Sequence, residues 1–161
     1  MRFGTRTDLG RKWMPMGKRA VGLQKIGYDY AYLYVSIKPF TGEVFALILP
    51  HLNKECFGIF ADLRSRSLER KTLMVVDGAT AHRLDEDGMF KITKIPPYSP
   101  ELNPVERFFQ ELRRQLKFRV FETIEQAEEY ISEKLQEFIK DKERVRKLTL
   151  YPYISNTHSS N

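Results

Sequence analysis

The sequence is poor in cysteine, because Cys56 is the only one among its 161 residues. A single thiol excludes an intrachain disulfide framework and a zinc site built on cysteines. The sequence also lacks an apolar run long enough to cross a bilayer, and its first residues contain no apolar stretch of the signal-peptide kind. We therefore expect a soluble protein of a reducing compartment, the cytoplasm, with no membrane partner.

Acidic residues are scarce at the start of the chain. Residues 1–27 carry seven basic side chains and one acid, whereas the remaining residues carry 20 of each sign. The whole net charge of +6 therefore belongs to the opening segment, which favours an anionic partner such as nucleic acid. The glycine, proline and basic residues of this segment predict a loop or a loose hairpin.

The rest of the chain has the pattern of a single α/β domain. With 42% hydrophobic residues, a chain of this length buries one core. Alternation in YDYAYLYVSI, which starts at Tyr28, predicts a strand, and EVFALIL returns as its hairpin partner. The tyrosines of the first strand either cover the sheet, which is the favoured interpretation, or stack on nucleic-acid bases.

Helices and two further strands are expected after the hairpin. One helix is predicted from its N-cap Asn53 to about Arg70, and two more over residues 104–118 and 123–140. The apolar run TLMVV, which ends at Asp77, predicts a strand buried on both faces, and FKITKI predicts another short strand. Strands that alternate with helices indicate an α/β layer fold.

Glu106 follows a proline-rich loop and has two interpretations. It falls three residues after the N-cap Asn103, so the structural interpretation is a capping box in which its side chain bonds back to the cap. It also lies on the helix flank in line with Arg113 and Lys117. A carboxylate followed by cations suits a site where metal and phosphate meet.

Asp77 has two interpretations as well. A plain turn at the Asp-Gly pair is the structural one. Open α/β sheets, however, bind ligands just beyond the carboxyl ends of their strands, where an acid is well placed to hold Mg²⁺. Two acids from separate elements can share metal ions that activate the attacking oxygen and stabilise the leaving one in phosphodiester chemistry. His82, five residues further on, is either a neighbour of this site or a structural residue.

Two motifs stand out in the second half of the chain: MVVDGATAH and KIPPYSPELNPVERFFQELRRQLK. Together they closely resemble the catalytic core of mariner-like DDE transposases, specifically the bacterial insertion-sequence branch with its DDE superfamily endonuclease domain. The resemblance implies a ribonuclease H-like fold of the retroviral-integrase kind, a mixed sheet flanked by helices. It also implies that three carboxylates bind Mg²⁺, or Mn²⁺ in its place. Asp77 resembles the second acid of this triad and Glu106 the third, with His82 and Asn103 as neighbours of the site.

The first acid of the triad has no counterpart. In the family it belongs to an Asp-Glu pair just ahead of a stretch resembling Arg2-Phe3-Gly4, and this sequence begins at Met1. Asp8 and Asp29 are the acids early enough to replace it, yet neither matches the motif. We therefore expect the first, central strand to be missing and the chain to be the C-terminal portion of a transposase, whose activity alone is in question. An upstream transposase polypeptide or a second copy of the chain is the expected protein partner.

The expected organisation is a basic segment over residues 1–27, a catalytic core over 28–140 and a tail over 141–161. DNA, as transposon terminal repeats and target, is the implied nucleic-acid partner. Its expected contacts are basic residues of the opening segment and of the helix after the proline loop: Arg2, Arg6, Arg11, Lys12, Lys18, Arg19, Arg113 and Lys117. Two other interpretations stay open: a non-catalytic DNA-binding module derived from a transposase, and a poorly folded product without activity.

Overall fold

A computed structural model describes residues 1–10, 13–18, 22–77, 89–97, 99 and 102–156. Its strands are β1 (Arg2–Gly4), β2 (Tyr30–Lys38), β3 (Glu43–Leu49), β4 (Thr72–Val76) and β5 (Phe90–Lys94). Its helices are α1 (Lys54–Arg66), α2 (Pro104–Leu116), α3 (Ile124–Lys140), α4 (Lys142–Thr149) and α5 (Pro152–Asn156). None of the helices in this part of the chain combines the length and the apolarity that crossing a bilayer requires.

The strands form two sheets. β1, β2 and β3 are antiparallel neighbours in that order, with Phe3 opposite Ala31 and Val35 opposite Ala46. β4 and β5 form a parallel pair, with Met74 opposite Ile92. Parallel pairing brings the carboxyl ends of β4 and β5 to the same edge, as the sequence pattern requires for a site there.

The β2–β3 hairpin is covered on both faces, because alternate side chains point to opposite sides. Ala31 and Leu33 belong to a buried cluster with residues of α2, α3 and α4. Tyr34 belongs to a second cluster with residues of α1, β4 and β5. The predicted layer fold is therefore present, and the favoured interpretation of Tyr34 as a covering residue of the sheet is confirmed.

The helices begin where the sequence places their caps. Asn53 accepts a hydrogen bond from the Cys56 N–H at 2.8 Å, and the Thr123 side chain accepts one from the N–H of Gln126. The apolar stripe predicted for α3 is buried, with Ile131 and Phe138 fully inaccessible. α1 ends at Arg66, four residues earlier than predicted, because Ser67 caps it through its N–H to the Arg64 carbonyl.

The prediction that the strand before Asp77 is buried on both faces is wrong. Met74 and Val76 are buried, whereas Leu73 and Val75 are 55% and 52% exposed. An unbroken apolar run does not distinguish one buried face from two, because it satisfies both patterns.

Both ends of the chain contain more structure than expected. Residues 2–4 form β1, whose sheet partner in the described part of the chain is β2. The opening segment continues as a hairpin, since the Thr7 N–H donates to the Lys25 carbonyl at 3.1 Å. Residues after 140, expected to be a tail, form α4 and α5 instead, and Val145 of α4 is fully buried in the first cluster.

Candidate active site

Asp77 directly follows β4 at the carboxyl end of the parallel sheet. The Ile95 N–H donates to the Val76 carbonyl at 2.8 Å, so the parallel ladder remains bonded up to the residue before Asp77. The Asp77 side chain is exposed. The strand therefore delivers a solvent-accessible carboxylate to the edge at which ligands bind open α/β sheets.

Glu106 lies in the first turn of α2, which Asn103 caps. The Asn103 side chain accepts a hydrogen bond from Val105 N–H at 3.1 Å, and its carbonyl accepts one from Glu106 N–H at 3.0 Å. No hydrogen bond joins the Glu106 carboxylate to the Asn103 N–H among the described residues. The carboxylate instead lies 3.9 Å from the Arg113 guanidinium, so the predicted flank, and not the closed capping box, is observed.

The Met1 amino group, at the start of β1, lies within electrostatic reach of both carboxylates. The Met1 amino group donates to the Leu33 carbonyl at 2.6 Å. Burial and the positive charge of Arg113 lower the pKa of this amino group to about 6, while the negative charges of Glu106 and Asp77 act in the opposite direction. Such effects extend over about one Debye length, about 10 Å, so Asp77 and Glu106 both lie on the side of the fold that holds Met1.

Two carboxylates fit Mg²⁺ or Mn²⁺, which prefer oxygen ligands. Within the described ranges, no three Asp, Glu, His or Cys side chains lie close enough to hold a metal ion. The Asp8 backbone carbonyl accepts from Phe118 N–H at 2.9 Å, which places it beyond the end of α2 opposite to Glu106. Asp29 pairs with Thr5 ahead of β2. As the sequence indicates, neither Asp8 nor Asp29 lies where it could serve as the third carboxylate.

The sequence did not indicate two tyrosines, Tyr151 and Tyr153, that contact residues next to Asn103 and Glu106. The Tyr153 hydroxyl donates to the Leu102 carbonyl at 2.6 Å, one residue before the cap of α2. Arg107 lies over the Tyr151 ring at 4.8 Å. Burial raises the pKa of Tyr151, Arg107 opposes this, and Glu106 raises the pKa further, so Tyr151 lies near Glu106. The signal was the pair of tyrosines in YPYI, within a segment interpreted as a tail.

The predicted DNA-binding residues are distributed over the molecule. Arg113 lies at the site, beside Glu106. Lys117 follows α2 directly, with its side chain packed near Gly10. Arg2, Arg6 and Lys18 are exposed. Three further residues predicted to bind DNA, Arg11, Lys12 and Arg19, lie outside the described part of the chain, as does His82, the predicted neighbour of the site.

Solved structures of the Mos1 mariner transposase have a similar fold. The pre-cleavage Mos1 transpososome gives a TM-score of 0.68 at 14% identity, over 92% of this chain and 51% of that chain. The Mos1 strand transfer complex gives 0.64 at 15% identity, over 93% and 52%. The Mos1 mariner paired-end complex with Mn gives 0.64 at 13% identity, over 97% and 53%. This chain thus spans about half the length of those chains. A comparison with curated proteins finds no match.

The layered sheet and its likeness to these structures define the class: the fold is ribonuclease H-like, as predicted. The sequence profile of the DDE superfamily endonuclease domain matches residues 1–128, which is most of the chain. The chain therefore belongs to the DDE superfamily endonuclease family. The resemblance to mariner-like DDE transposases is confirmed, and the match ends within α3.

Proposed function

We propose that this chain is the catalytic domain of a transposase that cuts DNA at transposon ends and joins the cut end to target DNA. The observation that carries the proposal is that Asp77 follows the carboxyl end of β4 and Glu106 lies in the first turn of α2, both within electrostatic reach of the Met1 amino group. Membership of the DDE superfamily endonuclease family supports the reaction class. The similar Mos1 structures are transpososome, paired-end and strand transfer complexes, which supports DNA as the partner.

Mg²⁺ is the proposed cofactor, with Mn²⁺ as a substitute, and one similar Mos1 complex was determined with Mn. Asp77 and Glu106 would hold the metal through their carboxylate oxygens. When bound there, such a metal activates the attacking oxygen and stabilises the leaving one. Arg113, beside Glu106, supplies a positive charge that attracts the phosphate of the substrate. The Asn103 cap and the Tyr153 hydrogen bond keep the first turn of α2 in place.

The third carboxylate of the site is proposed to come from a residue ahead of Met1 in a longer chain, or from a second polypeptide. The Leu33 N–H donates to the Met1 carbonyl at 2.8 Å, and the Met1 nitrogen donates to the Leu33 carbonyl. This is the hydrogen-bonded pair of an antiparallel ladder, so a preceding residue would continue along β2. That residue would lie next to both carboxylates. Such a protein would act on DNA of the bacterial nucleoid, in the cytoplasm.

The test is Mg²⁺-dependent cleavage of DNA carrying a transposon end by the chain preceded by its own upstream residues. Asp77→Asn and Glu106→Gln are each expected to slow cleavage on the order of 100-fold or more, because each removes a metal ligand. Glu55→Gln is the matched control, since Glu55 is likewise an acid in the first turn of a helix. Cleavage that survives either site substitution contradicts the proposal.

A non-catalytic DNA-binding module is the second candidate function. It is favoured by the excess positive charge of residues 1–27, because phosphate contacts need charge and no metal. It predicts binding that weakens steeply with salt, is indifferent to a chelator, and is not followed by cleavage in the extended chain. Metal-dependent cleavage by that chain would exclude it.

A further inference from the structure

A pocket lies at the end of α2 farthest from Glu106. Its cavity volume of about 120 Å³ exceeds what a single ordered water needs. The pocket is lined by charged and aromatic residues of β1, of the segment after β1, of the start of β2 and of the segment after α2. These residues are Arg2, Arg6, Asp8, Tyr30, Arg119 and Phe121. The lining residues thus carry three positive charges and one negative charge, which favours an anion.

Two of these arginines are held by aromatic rings. The Arg2 guanidinium carbon lies 4.6 Å from the centroid of the Tyr30 ring, and that of Arg119 lies 5.0 Å from the Tyr130 ring. Within the described residues, neither arginine forms an ion pair with a carboxylate. A guanidinium stacked on a ring keeps the N–H groups of its edge available, and that edge matches the oxygens of a phosphate.

The wall that carries Arg119 is fixed to the opening segment on both sides. Phe118, with φ of 62°, adopts a left-handed conformation that is rare for an aromatic residue, and its N–H donates to the Asp8 carbonyl. The Lys25 ammonium bonds the Glu122 carboxylate at 3.0 Å and its carbonyl at 2.7 Å. Backbone strain maintained by surrounding contacts is typical of binding sites. The segment between these ties is therefore held in the geometry that lines the pocket.

The length of α2 sets the spacing between the pocket and the catalytic carboxylates. Glu106 lies in the first turn of the helix, and Leu116, its last residue, lines the pocket. Ten residues of α-helix span about 15 Å. Along one strand of B-DNA this corresponds to about four to five nucleotides.

We propose that Arg2, Arg6 and Arg119 bind one phosphate of the DNA backbone, about four to five nucleotides from the bond that is cut. The inference rests on the proposed function, because the carboxylates define where cutting occurs. By fixing one phosphate at this distance, the pocket determines which phosphodiester bond is presented to Asp77 and Glu106.

The test is binding of a short DNA duplex to the full chain over a salt series in the presence of a chelator, followed by fluorescence anisotropy. The combined Arg2→Gln, Arg6→Gln and Arg119→Gln variant is expected to weaken low-salt affinity by about tenfold or more. It should also make the dependence of log K on log salt less steep by about 1, since the loss of one phosphate contact removes about 0.9. A combined Lys54→Gln, Lys71→Gln and Lys140→Gln control removes the same charge from exposed positions outside the pocket.

The inference is overturned if both combined variants bind alike, or if the unaltered chain does not bind at low salt. Because the measurement contains no metal, its failure leaves the cleavage assay of Asp77 and Glu106 to decide the proposed function separately. If the pocket variant unfolds at a lower temperature than the control, Arg119→Gln alone replaces it, with weaker low-salt binding than a Lys54→Gln control and a slope change of at most about 0.9.

Asp8→Asn supplies a change of opposite sign. Removing the carboxylate of the pocket is expected to tighten DNA binding about two- to fivefold at low salt, because it removes a repulsion for phosphate. The Asp8 backbone carbonyl, which holds Phe118, is unaffected by this substitution. Unchanged or weaker binding would contradict the pocket as a phosphate site.

Discussion

Glu43, the first residue of β3, lies between two cations. The Lys38 ammonium is 2.9 Å from its carboxylate and the Arg64 guanidinium is 2.8 Å from it. Arg64 is only 5% exposed, so this ion pair is the group's main compensation for burying a charge. Burial raises the pKa of Glu43, but hydrogen bonds from Lys38 and Arg64 lower it by more, so its pKa is below the ordinary value.

Glu43→Gln is expected to lower the free energy of unfolding by about 1–2 kcal/mol at neutral pH, between the values for exposed and buried pairs. A carboxylate whose pKa is lower in the folded state stabilises above its unfolded pKa, and this contribution is lost as pH falls through the folded pKa. The difference from the unaltered chain should therefore shrink below about pH 4.5, measured by urea unfolding. Glu122→Gln, which breaks the exposed Lys25 pair, is the control with a small effect. A pH-independent difference would contradict the ion pair as the cause.

The positions of Asp77 and Glu106 in the fold were predictable from sequence, because one follows a strand and the other is the third residue after a cap. Arg119 was not, because its place in the pocket depends on the left-handed turn at Phe118. No sequence rule assigns that conformation to phenylalanine, which normally avoids it. Tertiary contacts, here the Asp8 carbonyl, decide it.

At the scale of elements, α5 connects the end of the chain to the proline-rich loop. Its Tyr153 hydroxyl bonds the Leu102 carbonyl, and the next residue along the loop caps α2. A short helix beyond the catalytic core therefore supports the position of Glu106. We infer that Tyr153 is a positioning residue, since it acts on the carboxylate through the loop.

Tyr153→Phe removes this hydrogen bond, which is worth about 1 kcal/mol. Cleavage by the extended chain is expected to fall by about three- to tenfold, because Glu106, the proposed metal ligand, is less firmly held. The melting temperature and chelator-insensitive DNA binding should change little. Tyr28→Phe, at a tyrosine 80% exposed, is the control. Equal cleavage by both variants would show that α5 does not support the site.

The two ends of the chain were predicted less well than the elements between them. β2, β3, α2 and α3 lie within a few residues of their predicted bounds, because their periodicity is long and their caps are clear. β1 has only three residues, which are too few to show the alternating hydrophobic pattern of a strand. Its pairing with β2 stabilises it. The composition of α4 predicts a polar tail, but Val145 and Thr149 of this helix are completely buried.

At the scale of the molecule, the β2–β3 hairpin separates two buried clusters, and the functional groups lie along one path. The carboxylates lie at the start of β1 and α2, and the arginine pocket lies toward their other ends. Because β1 and α2 both run from the carboxylates toward the pocket, a DNA strand laid along them would meet both. Arg2 and Arg6 of the basic opening segment line this pocket.

The central claim is that Asp77 and Glu106 belong to one metal site. Titration of the chain preceded by its own upstream residues with Mn²⁺, followed by electron paramagnetic resonance of the free ion, tests it most directly. Asp77→Asn and Glu106→Gln are each expected to weaken Mn²⁺ binding by about tenfold or more, whereas Glu55→Gln leaves it unchanged. Equal Mn²⁺ affinity in all four proteins would show that the two carboxylates do not form a common metal site.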